Sequence, residues 1–184
     1  MYRKCATEIS ALHQKQVEEA LLELMQKMPL GEITVTQLCQ TAGVPRRIFY
    51  HLFSNKTGAL HALIDHRILA LEGCYPEISD DALRYFLYWK DQKGLLDALW
   101  SNNLMGLLLE RMVTIVLDED YDLQYWLRKN GWSREKDVLI FQLSGIMGLT
   151  CSWYYSGYAQ SPQEMAALVN RIMTRPFSTE NSSK

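Results

Sequence analysis

No uninterrupted apolar run in this chain is long enough to span a bilayer, and no N-terminal apolar core of a secretion signal is seen. Cysteine is sparse. Cys5, Cys39, Cys74 and Cys151 form no C-x-x-C pair, which excludes a disulfide scaffold or a zinc ribbon and reads as reduced thiols. The sequence also lacks H-E-x-x-H, G-x-S-x-G, a phosphate-binding loop and a dinucleotide-binding glycine pattern. His61 and His66 stand five apart, which splits them across helix faces, so they make no metal pair. The run Asp118-Glu119-Asp120 has no matched ligand and reads as a solvated turn. A net charge of −2 excludes a generic polyanion binder. These absences lead to a cytoplasmic, non-enzymatic protein with no metal, no cofactor and no membrane segment.

Proline is scarce too, and each of the five falls where a helix should start or stop. What remains is a globular composition, 48% hydrophobic and 22% charged, over 184 residues. Every apolar pattern has the helical period, so the fold is expected to be all-α. Residues 1–8 read as a frayed arm carrying Arg3 and Lys4. Helix 1 should run from Glu8 to Met28 and stop at Pro29. Helix 4 should be capped by Ser54 or Asn55 and end near Gly73. Ser79 should cap a fifth helix, Gly94 should separate it from a sixth, and a seventh should cover Leu104–Leu117. A short helix is expected around Tyr121–Lys129. Ser133 should open a long one over Arg134–Gly157, and Ser161-Pro162-Gln163-Glu164 is a capping box that opens the last.

The stretch from Thr34 to Lys56 is the most informative. Thr34 and Gln37 form a capping box. Val35, Leu38, Cys39 and Ala42 share one face, Gly43 is a left-handed stop, and Pro45 restarts the chain. Val44, Phe49, Leu52 and Phe53 then form an apolar stripe, while Arg46, Arg47, Tyr50 and His51 gather elsewhere. Two short helices around a tight glycine turn, the second basic and aromatic, are the pattern of a DNA-binding helix-turn-helix. Two such helices also occur in many all-α proteins, so patterning alone leaves both readings open. Charge is unevenly placed. Residues 1–56 hold seven Lys/Arg against five acids, or +2; the remainder holds twelve against sixteen, or −4. A basic head on an acidic body suits a protein that meets DNA with one end.

The run AGV-PRRIFYHLF-SNK, with Val17, Ala20, Leu24, Gly31, Ile33, Thr34 and Val35 upstream, resembles the tetracycline-repressor (TetR) family of regulators over about residues 14–64. Two departures stand out. Ile48 replaces a phosphate-reaching Thr or Ser, and Pro45 replaces a capping Ser. Side-chain chemistry makes Arg46 and Arg47 candidates for base or phosphate contact, His51 a donor to either, and Thr34 and Thr36 hydroxyl contacts at the start of the first of the two helices. The resemblance implies DNA contacts from Tyr50 and Lys56. Lys56 is electrostatically misplaced in the first turn of a helix, and a phosphate docked there would make it sensible.

Toward the C-terminus, SGIMGLTCSWYYSGYAQSPQEMAALV is similar to the paired dimerisation helices of that family. Independently, the helix over 134–157 is apolar nearly all round, which requires burial on both sides. A homodimer face from Phe141, Gly145, Gly148, Trp153, Met165, Leu168 and Ile172 follows. Tyr85, Trp89, Trp100, Met112 and Phe141 are expected to wall a site for a small apolar or aromatic effector. The expected organisation is a helix-turn-helix domain over 1–54, an effector-binding and dimerisation domain over 55–176, and a disordered tail over 177–184. The function implied is a transcription regulator, a repressor, that binds a palindromic site in double-stranded DNA. The alternatives are control by a protein partner and constitutive binding without ligand.

Overall fold

A computed structural model describes Tyr2, residues 7–118 and residues 135–174, and all of the regular structure in them is helical apart from one isolated bridge. The helix expected around Tyr121–Lys129, the caps at Ser133 and Arg134, the arm residues Arg3 and Lys4 and the tail over 177–184 lie outside the described residues.

The head is built from α1 (Glu8–Met25), α2 (Val35–Ala42) and α3 (Arg46–Leu52). Thr7 and Ser10 cap α1 reciprocally. The helix stops three residues short of Met28, where Lys27 and Met28 turn back onto the Leu24 carbonyl. Thr34 accepts from the Gln37 amide at 3.1 Å, and the Gln37 side chain answers the Thr34 amide at 2.9 Å, as the capping box requires. Gly43 ends α2 at φ +65°, the left-handed region that glycine adopts without penalty. A seven-residue helix such as α3 is unstable alone. Burial holds it: Val44, Phe49, Leu52 and Phe53 are all at most 3% exposed. At about 1.5–3 kcal/mol for each large apolar side chain, that stripe outweighs the nucleation cost.

Helix α4 (Lys56–Ala70) is capped by Asn55, which accepts from the Gly58 amide at 2.9 Å. It runs into a 3₁₀ turn, Leu71–Gly73. Its apolar residues Leu60, Leu63, Ile64 and Ile68 are buried between α1 on one side and α7 on the other. So α4 belongs to the cores of both head and body.

The body contains α5 (Asp81–Asp91), α6 (Lys93–Ser101), α7 (Met105–Leu117), α8 (Lys136–Tyr155) and α9 (Pro162–Thr174). Two expected boundaries move. Asp80, not Ser79, caps α5, accepting from the Leu83 amide at 3.1 Å. The α5–α6 break falls at Gln92, and Gly94 lies inside the first turn of α6. The Ser161–Glu164 box forms as expected, with the Ser161 amide 2.7 Å from a Glu164 oxygen. Helix α9 packs along α5, and α7 packs on both α4 and α8. Trp89, Phe86 and Trp153 are fully buried at the centre. The indole of Trp153 stands edge-on to Phe86 at 5.3 Å, and its N–H donates to the Gln160 carbonyl.

The arm is not wholly frayed. Tyr2 pairs antiparallel with Phe53, and its hydroxyl donates to Asp65 at 2.8 Å.

Candidate nucleic-acid interface

The apolar stripe of α3 fixes what its other face presents. With Phe49 and Leu52 inside, Arg46, Arg47, Tyr50 and His51 are exposed. Arg46 lies over the Tyr50 ring, 6.0 Å from its centroid. Tyr50 in turn stands edge-on to the buried Phe49 at 5.4 Å, which fixes the ring while half of the residue stays open. Among the described residues, Arg67, Arg84 and Arg111 are each paired with a carboxylate, whereas Arg46 and Arg47 are not. A guanidinium left without an acid retains its full capacity for an external acceptor. Thr34 and Thr36 are exposed at the start of α2, and the Thr34 hydroxyl is engaged in the cap.

Lys56 has a task that sequence reasoning missed. Its ammonium donates to the carbonyls of Leu30 at 2.6 Å, Gly31 at 2.9 Å and Ile33 at 2.9 Å. Three donors meet three acceptors, so the group is saturated. The neighbouring turn supplies the negative ends of dipoles that make the lysine tolerable at a helix start. The Asn102 side chain holds the same turn from α6, accepting from the Leu30 amide at 2.5 Å. The odd charge of Lys56 was the visible signal; its partners, 23 to 26 residues away, were not.

The residues assigned to an effector site divide between core and surface, with the rings of Tyr85 and Trp89 brought together at 6.2 Å between centroids. Tyr85, Trp89 and Met112 are buried in the body core, but Trp100 is 45% exposed and Phe141 64% exposed. The Tyr85 hydroxyl bonds Thr150 at 2.9 Å, and burial pushes its pKa well above the ordinary tyrosine value. Trp100 rests edge-on against Tyr155 at 4.4 Å on the surface. The Trp89 indole N–H is fully buried with no acceptor among the described residues.

The residues assigned to a dimer face divide in the same way. Trp153 and Met165 are buried within the chain itself, and Leu168 is half-buried. Phe141, Gly145, Gly148 and Ile172 are exposed. Val138, Phe141, Gly145, Gly148, Ser152 and Tyr155 recur at alternating spacings of three and four, and all six are exposed. Leu139, Leu143, Ile146, Met147, Thr150 and Trp153 form the opposite, buried side of α8. By length and composition α8 alone among the described helices could cross a membrane, but that buried side is built into the core.

No family model matches the chain, and no curated protein matches it. Among solved structures, the dihydroxyacetone kinase operon activator DhaS is similar in fold, with a TM-score of 0.56 at 19% identity over 88% of this chain and 93% of that chain. The all-α architecture, a helix-turn-helix head on a helical body, is thus shared with a known transcription regulator.

Proposed function

We propose that this protein is a DNA-binding transcription regulator of the tetracycline-repressor type. The observation that carries the reading is the division of α3. One side is locked into the head by Phe49 and Leu52, and the other presents Arg46, Arg47, Tyr50 and His51 to solvent without an acidic partner among the described residues. A rigid helix with free guanidinium groups is what the major groove accepts, since an arginine can bridge guanine O6 and N7. Thr36 and Tyr50 add hydroxyl contacts to phosphate. Lys56 then serves binding indirectly, by holding the turn before α2. The neighbour's name, an operon activator, agrees with regulation and leaves direction open. Whether an occupied operator blocks or recruits polymerase depends on where it lies relative to the promoter.

The working unit is a homodimer formed on the exposed strip of α8 and the Ile172 end of α9. Gly145 and Gly148 leave open space where a partner helix can approach. Gln142 Nε2 lies 3.8 Å from Met173 Sδ, so the apolar end of α9 adjoins the strip. Two-fold symmetry then requires a palindromic site with half-sites about 34–36 Å apart.

An apolar effector carrying a hydrogen-bond acceptor would enter the body near Tyr85, Trp89 and Met112. The buried Trp89 N–H supports that reading, because an unpaired buried donor costs free energy that a ligand acceptor would recover. Selection of bound fragments from a random duplex pool tests the function. A recovered palindrome retained at moderate salt supports it; recovery of no sequence at any salt rejects it.

A further inference from the structure

We infer that the buried carboxylate of Asp65 is a positioning group that fastens the recognition helix to the body through the N-terminal tyrosine. This rests on the reading of α3 as the helix that meets DNA.

Asp65 lies in α4, only 2% exposed, inside the otherwise apolar repeat of Leu60, Leu63, Ile64 and Ile68. A buried carboxylate persists only where its lone pairs are satisfied. Arg111, from α7, meets it bidentately: Nε donates to Oδ1 at 2.7 Å and Nη2 to Oδ2 at 2.6 Å. The Tyr2 hydroxyl donates to the same Oδ2 at 2.8 Å. The Tyr2 ring is set edge-on to His66, 6.0 Å between centroids, and His66 itself bonds Glu18 of α1. The backbone of Tyr2 pairs with Phe53, the residue that caps the C-terminal end of α3.

These contacts form one continuous chain. It begins in α7, which packs on α8, and crosses the Arg111 guanidinium to the Asp65 carboxylate. It continues through the Tyr2 hydroxyl and ends on the last turn of α3. Each link is directional, so a displacement of α7 relative to α4 changes the seat of Tyr2. Helix α3 has seven residues, and its last turn closes on the Phe53 amide, which donates to Phe49 at 2.8 Å. A helix this short depends on its ends, and Tyr2 holds one of them.

Amide hydrogen exchange on the full chain, without DNA, tests the inference. Tyr2→Phe removes one hydroxyl and keeps the ring. It should speed exchange at Leu52 and Phe53 at least tenfold while leaving Ile146 and Met147 of α8 at wild-type rates. Arg111→Gln should do the same. The double variant should be no faster than the faster single, because both act through Asp65. Unchanged rates at Phe53, or equal acceleration in α8, overturns the inference. Should Arg111→Gln fail to fold, Asp65→Leu combined with Arg111→Met replaces the pair by apolar groups of similar size. Phe53 must then still exchange faster than in the wild type, and a wild-type rate there overturns the inference. Titration with a selected duplex separates this failure from that of the DNA reading. Tyr2→Phe should weaken binding two- to tenfold with the salt slope unchanged, since no phosphate contact is lost. A wild type that binds no duplex but shows the exchange pattern removes the DNA reading and keeps the joint. A wild type that binds, with a Tyr2→Phe variant exchanging normally, removes the joint alone.

Discussion

The ammonium of Lys56 donates to the carbonyl of Leu30 at 2.6 Å, joining the first turn of α4 to the turn that precedes α2. With the bonds to Gly31 and Ile33 it closes the helix-turn-helix into a ring of contacts. Charge-assisted hydrogen bonds to a partly buried group are worth about 1.5–3 kcal/mol each, less for those that water can replace. Lys56→Met keeps the stem and removes the three bonds. It should lower unfolding stability by about 2–3 kcal/mol in urea titration. If DNA is bound, its affinity should fall by a similar factor at low and high salt. A slope of log affinity against log salt that drops by about one unit would instead mean that Lys56 neutralises a phosphate.

Arg46 and Arg47 should behave in the opposite way. Both are exposed, and neither meets a carboxylate among the described residues. Substitution by alanine should leave thermal stability within about 0.5 kcal/mol of the wild type. Each should cost roughly 1–3 kcal/mol of binding and relax preference at one position of the duplex if it reads a base edge. Calorimetric melting and competition titrations check the two halves. Unchanged affinity in both variants would remove α3 from the interface.

What was legible in the sequence is what acts within about four residues. The boxes at Thr34–Gln37 and Ser161–Glu164, the left-handed stop at Gly43 and the stripe from Val44 to Phe53 all follow from local rules, and all form. Asp80 displaces Ser79 as a cap because either side chain offers a capping oxygen and the helix begins one residue later, at Asp81. Contacts between residues far apart have no such signature. Tyr2 with Asp65 and Arg111 with Asp65 are separated by 63 and 46 residues. Side-chain type alone also does not sort core from surface. Phe141 and Trp100 are as apolar as Phe86 and Trp89, yet they lie outside because of where their helices turn.

His66 gives the head a pH dependence. Its hydrogen bond to Glu18, which is 5% exposed, raises its pKa above the ordinary value near 6.5, and burial opposes this only in part. A raised folded-state pKa contributes stability that is fully present below about pH 6.5 and is lost as pH rises through the folded value. Wild-type stability should therefore fall, as pH rises above about 6.5, by more than that of His66→Gln. The imidazole is nearly half exposed, so solvent screening keeps the difference small. Parallel pH profiles of the two variants would count against the pair.

The strip on α8 yields a prediction in which fold and assembly separate. A Cβ added at Gly148 meets nothing within 4 Å, so a larger side chain there does not disturb the single chain. Gly148 also lies mid-strip, between exposed Phe141 and Tyr155, where a second copy would close on it. Gly148→Arg should keep the isolated chain folded and raise its stability by up to about 1 kcal/mol, since arginine favours a helix interior more than glycine does and nothing packed is displaced. Against a partner helix, the same side chain brings overpacking and a charge without an acceptor, which together cost several kcal/mol. Sedimentation equilibrium should show a monomer at concentrations where the wild type is a dimer. Binding to a palindromic duplex should fall far more than binding to a single half-site, because only the palindrome uses both heads at once. A Gly148→Arg chain that sediments as a dimer would place the interface elsewhere.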